Sequence, residues 1–159
     1  MAVSVDPLAH QVTMVCTLVL FLKFFVTTLI QGGKRFAGGS RPPEDVKLSL
    51  AKKYKAKQTY GLEQSENPKH AEADIRWQRI VHNDLENVIF GVILAWGALL
   101  SPFSVLVHVG AIAFTFARIL HTYAYANQQQ PGRAIWWGVA AISSIIMAFN
   151  GAIGVMIMY

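Results

Sequence analysis

From Ala134 to Tyr159 the chain carries no charged side chain. A helix that spans a bilayer needs about 20 mostly apolar residues, so this run already points to lipid as the solvent. Three more candidates precede it. The first spans about 9–31 and holds a single charge, Lys23. The second spans about 73–100 and is polar as far as Asn87 and apolar from Val88 to Leu100. The third spans about 103–125. With the fourth at 133–159, the pattern predicts an all-α integral membrane protein, a single domain built as a four-helix bundle. Composition agrees: 53% of the residues are hydrophobic and 14% charged, too apolar for a typical soluble domain. The Met1 end has no basic n-region and no cleavage-site pattern, so the first apolar segment is expected to stay in the mature protein.

The connections are uneven. Ser101-Pro102 breaks the second span from the third, and 127–132 links the third to the fourth. The segment 32–72 is long and polar. It holds Lys34, Arg35, Arg41 and the cluster Lys52, Lys53, Lys55 and Lys57. Arg133 falls on the same side. The positive-inside rule makes that side cytoplasmic and puts both termini across the membrane. The net charge of +5 therefore reads as topology and contact with lipid headgroups. The basic run carries no nucleic-acid-binding motif, and no nucleic-acid partner is expected. Cys16 is the one cysteine. It lies within the first span, as inert packing.

Ionisable groups inside a span cost about 2.5–3.5 kcal/mol on insertion scales and usually face the bundle interior or a cavity. Residues three and four apart share a helix face. Arg79, His82, Asn83 and Glu86 therefore form one polar stripe, which Arg76 extends by a turn. Asp84 and Asn87 lie off its centre. The stripe fits either a solvated helix extension or a pocket wall. Arg118, His121 and Tyr125 form a second stripe on the third span. Arg133 opens the fourth span, where the helix dipole adds to its positive charge. Lys23 is too deep to snorkel, which calls for an interior partner, Glu86 or Asp84. Arg35 joins the stripes near the same end. Together they predict a cationic pocket for a small anionic ligand arriving from water, beside an apolar partner arriving from lipid.

These residues resemble the MAPEG family, the membrane-associated proteins in eicosanoid and glutathione metabolism. The likeness is greatest to its microsomal glutathione transferase type 1 and microsomal prostaglandin E synthase type 1 branch. The second-helix motif R-x-x-x-N-D-x-E stands as Arg79, Asn83, Asp84 and Glu86. The third-helix motif R-x-x-H-T-x-x-Y stands as Arg118, His121, Thr122 and Tyr125. The fourth-helix arginine matches Arg133, the first-helix lysine Lys23, the arginine ending that helix Arg35, and a downstream P-E-D matches Pro43-Glu44-Asp45.

The resemblance implies a homotrimer that binds glutathione between subunits, in the endoplasmic reticulum or a mitochondrial membrane, with the loop and the site facing the cytoplasm. It implies a glutathione transferase and peroxidase acting on lipophilic electrophiles or lipid hydroperoxides. The alternatives are a prostaglandin E synthase-type isomerase or a non-catalytic membrane scaffold. Arg133 is the expected catalytic residue, nearest the sulfur. Arg35, Arg79, His82, Asn83, Glu86, Arg118, His121 and Tyr125 form the expected glutathione-binding set. Arg35 and His121 suit carboxylates, Glu86 an amino group, and Asn83 peptide amides. No metal is expected. Four positions depart from the pattern. Val81 stands where branch members carry histidine, and His82 where the synthases carry arginine. Trp137 replaces a synthase tyrosine, and Ala134 replaces a serine and favours the transferases.

Overall fold

The computed structural model describes residues 5–63 and 67–158. Among these residues the structure is helical, with no strand. The elements run α1 (Pro7–Gly38), a 3-10 turn (Pro43–Lys47), α2 (Ser49–Tyr54), α3 (Pro68–Ala98), α4 (Ser104–Ala126) and α5 (Gly132–Met158). By length and apolarity α1, α4 and α5 are able to cross a membrane, with mean hydropathies of 2.1, 1.5 and 1.9 over their spanning windows. α3 is long enough but does not join them. It carries Lys69, Glu72, Asp74, Arg76, Arg79, Asp84 and Glu86, so only its stretch from Val88 onward resembles a span.

The chain divides into two compact units, residues 1–23 with 84–159, and residues 24–83. The first unit holds the start of α1, the end of α3, and all of α4 and α5. Its core is built from Leu20, Ala95, Ala98, Val107, Ala111, Phe114, Ala117, Ala140 and Met147. The many alanines let helix backbones approach closely, the usual packing where lipid removes the hydrophobic drive between helices. Two glycines go further. A β-carbon on Gly91 would lie 2.1 Å from the Phe114 ring, and one on Gly154 would lie 2.6 Å from the Ser101 α-carbon. A polar clasp holds the α3–α4 turn to α5. The Ser101 hydroxyl donates to Asn150 Oδ1 at 2.9 Å and accepts from the Phe103 amide at 3.2 Å. Asp6 caps α1. Its Oδ1 accepts from the amides of Leu8 at 2.8 Å and Ala9 at 3.1 Å, filling two donors that a helix start leaves open.

The second unit holds the rest of α1, the connector, and the start of α3. α1 continues past the apolar run, through Lys34 and Arg35 to Gly38. Gly39 then takes φ +82°, where glycine is favoured. The connector folds back on this helix end through one buried amide. Gln58 Nε2 donates to the carbonyl of Phe36 at 3.0 Å, and Gln58 Oε1 accepts from the Arg41 amide at 3.2 Å. The amides of Thr59 and Tyr60 donate to the carbonyls of Gly39 and Arg41, at 2.9 and 3.0 Å.

Candidate functional site

On α4, Arg118, His121 and Tyr125 fall on one face because they are three and four residues apart. Burial then separates them. Arg118 and His121 are buried and Tyr125 is half-buried. Arg118 turns inward. Its Nη2 donates to Asp84 Oδ1 at 2.6 Å, and neither side chain has any exposed area. Lys23 donates to both oxygens of the same carboxylate. Two cations from α1 and α4 thus share one buried anion on α3. Residue spacing placed Asp84 off the polar stripe and offered it only as one of two partners for Lys23. Its neighbours on α3 three and four residues away, Ile80, Val81 and Val88, are buried, and that apolar face is the signal that would have found it. Of the two partners open for Lys23, the structure selects Asp84.

His121 and Tyr125 face the opening of α5. Their rings meet edge to face, with centroids 5.8 Å apart and planes at 76°. The guanidinium of Arg133 lies over the Tyr125 ring, 4.5 Å from its centroid, within range of a cation–π contact. With its amide turned so that the oxygen faces the arginine, Gln130 accepts from Arg133 Nε at 3.0 Å. Which end of an amide carries oxygen is set by its neighbours, and two guanidinium donors require the acceptor there. The result is a continuous chain, His121 to Tyr125 to Arg133, with the arginine on the first turn of α5. His121 Nδ1 and Thr122 Oγ1 are buried and have no hydrogen-bond partner among the described residues. A buried polar atom left unsatisfied calls for an explanation.

Glu86 is exposed on α3 in the same unit. The remaining expected residues lie in the second unit. Arg79 and His82 are exposed and Asn83 is half-buried. Arg35 is half-buried, and its guanidinium folds over the end of its own helix, donating to the Ser40 carbonyl at 3.0 Å. Of the expected set, then, the structure joins His121, Tyr125 and Arg133, ties Arg118 to Asp84, and ties Arg35 to Ser40.

A model of the MAPEG family matches residues 12–153. The chain belongs to the MAPEG family. No curated protein matches this MAPEG chain as an individual relative. The family match takes in α3 from end to end, both motif stripes and Arg133. Apolar helices and membership together make it an integral membrane protein with a glutathione-related transferase, isomerase or kindred membrane function.

Proposed function

We propose that this MAPEG protein is a membrane-bound glutathione transferase and peroxidase. The observation that carries the reading is the Arg133 guanidinium, held over Tyr125 at the first turn of α5. Glutathione brings the thiol that does the chemistry. The chain's own task is to hold that thiol as its anion. An ordinary thiol has a pKa near 8.5, so at pH 7 only a few per cent is ionised. Shifting the balance a hundredfold takes about 2.7 kcal/mol of preferential stabilisation of the anion. A fixed guanidinium added to the positive end of a helix dipole is the right chemistry for that contribution.

The other residues match the ligand's remaining groups. His121 Nδ1 is an open buried position for a carboxylate or amide. Arg35 and Arg79 supply cationic donors, and His82 a ring N–H. Glu86 takes an ammonium, and Asn83 pairs with peptide amides. A lipophilic electrophile or lipid hydroperoxide would arrive through the bilayer, so the enzyme needs a site open to water and lipid at once. We further propose a trimer, in the endoplasmic reticulum or a mitochondrial membrane. Exposed polar groups on α3 at Arg79, His82 and Glu86 would be covered by a neighbouring copy and the ligand.

Titrating glutathione into detergent-solubilised protein while recording thiolate absorbance tests the reading. The proposal expects saturable binding and thiolate at pH 7. Protein that binds no glutathione would sink it. Product analysis with a chlorodinitrobenzene-type electrophile and with an endoperoxide separates transferase from isomerase chemistry.

A further inference from the structure

The connector between α1 and α3 is more basic than a loop needs to be. Over Pro43–Lys57 it reads PEDVKLSLAKKYKAK, with lysines at 47, 52, 53, 55 and 57. Some of its charge is already matched. Arg41 pairs with Asp45 at 2.8 Å and Lys57 with Glu63 at 2.7 Å. Lys47, Lys52, Lys53 and Lys55 have no carboxylate partner among the described residues, and Glu44 is the one unmatched acid beside them. Lys53 lies 5.7 Å from the Tyr54 ring. Apolar side chains are interleaved with these lysines and turned to solvent. Val46 is 50% exposed, Leu48 48% and Leu50 46%. A soluble loop gains nothing from exposing three large aliphatic residues in five positions. Lysine mixed with exposed aliphatic residues is the composition of segments that lie in a membrane interface.

Local structure says where this segment is held. α1 has 32 residues, about 48 Å at 1.5 Å per residue. A bilayer with its headgroups is about 40–45 Å thick, so a spanning α1 ends at the headgroup boundary. Buried Gln58 binds the connector to that end through Phe36 and Arg41, and Thr59 binds it through Gly39. Both ends of the lysine-bearing loop are thereby fastened to the last turn of a span. That tether brings its charges within reach of the lipid surface, where an anionic leaflet attracts each lysine.

We propose that Val46–Lys57 is a docking element for the anionic surface of the bilayer that holds the protein. Lys47, Lys52, Lys53 and Lys55 meet lipid phosphates and carboxylates, and Val46, Leu48 and Leu50 enter the boundary between headgroups and acyl chains. This role is independent of glutathione chemistry. It predicts that the connector's position depends on lipid charge.

The test uses the full chain with Cys16→Ser and Ser49→Cys, labelled at position 49 with a fluorophore. It is reconstituted in nanodiscs that contain a headgroup-level nitroxide lipid. One set of discs is phosphatidylcholine alone, and the other adds phosphatidylserine. Quenching is expected to be at least about twofold greater in the anionic discs and to fall to the neutral value in about 0.5 M salt. Replacing the four lysines with glutamine should abolish the difference, and replacing them with arginine should keep it. Equal quenching in both discs overturns the proposal, as does full quenching in the glutamine variant. A response to an acidic soluble protein, with none to phosphatidylserine, also overturns it and assigns the surface to a protein partner.

Discussion

Lys23 on α1 donates to both carboxylate oxygens of Asp84 on α3, across 61 residues of sequence. Asp84 is fully buried and Lys23 nearly so. Arg118 adds a second cation to the same anion. Removing the shared carboxylate leaves two buried cations without their counter-charge. Breaking such a pair from one side typically costs about 3–5 kcal/mol. Asp84→Asn is therefore predicted to destabilise by that amount. Lys23→Met should cost less, because Arg118 still neutralises Asp84. Reversible unfolding in mixed micelles measures both, and a loss for Asp84→Asn no larger than for Lys23→Met contradicts the prediction.

Gly91 and Phe114 give a steric prediction. A methyl at position 91 would meet the Phe114 ring well inside contact distance. Overpacking of this kind costs about 1–3 kcal/mol. Gly91→Ala should lower the thermal midpoint, and Gly91→Ala with Phe114→Leu should recover part of the loss. A double-mutant cycle that shows additive effects would refute the close approach.

Asp6 carries a pH dependence. The Ala9 amide and then the Ser104 side chain hold its carboxyl below the usual carboxylate range, outweighing the opposing effect of burial. A group whose folded pKa is depressed stabilises the fold above its unfolded pKa. That contribution is lost as pH falls through the folded value. The first turn of α1 is thus predicted to be firm at neutral pH and to fray only once pH falls below the usual carboxylate range. Hydrogen exchange at the Leu8 and Ala9 amides reads this directly. Asp6→Asn, which cannot ionise, should remove the pH dependence.

Helical spacing and apolarity carry a reader far along this chain and stop at identifiable places. Apolar windows locate α1, α4, α5 and the last part of α3, because a span must be apolar. They end α1 at the first polar run, yet its backbone hydrogen bonds continue to Gly38, since a helix leaving the bilayer needs no apolar side chains. Periodicity aligns Arg118, His121 and Tyr125 but cannot say which member turns inward. Arg118 does, because Asp84 lies on the buried face of α3 and draws it there. The same spacing argument made Asp84 an off-centre member of a polar stripe. An acid among Ile80, Val81 and Val88 is better read as an interior tie. Gln58 was illegible for another reason. One buried amide within a polar connector leaves no pattern in sequence, and only the fold shows that it fastens the loop to α1. The ligand roles of Arg35, Asn83 and Glu86 rest on family likeness, because matching a peptide's groups depends on distances that spacing along a helix does not contain.

Arg133 and Tyr125 supply the last prediction. The guanidinium over the ring means that the tyrosine's aromatic face, apart from its hydroxyl, positions the arginine. Tyr125→Phe keeps the face and should leave the pKa of bound glutathione close to its parent value. Tyr125→Leu loses a contact of about 0.5–2 kcal/mol and should let the guanidinium wander, raising that pKa. Arg133→Ala removes the charge itself and should lower kcat/KM at pH 7 by about a hundredfold, the equivalent of about 2.7 kcal/mol. The deficit should shrink as pH rises toward the free thiol's own pKa, because the ligand then ionises without help. A pH–rate profile for the three variants decides the matter. A deficit in Arg133→Ala that stays constant between pH 7 and pH 9 would show that the arginine acts on something other than the thiol's ionisation.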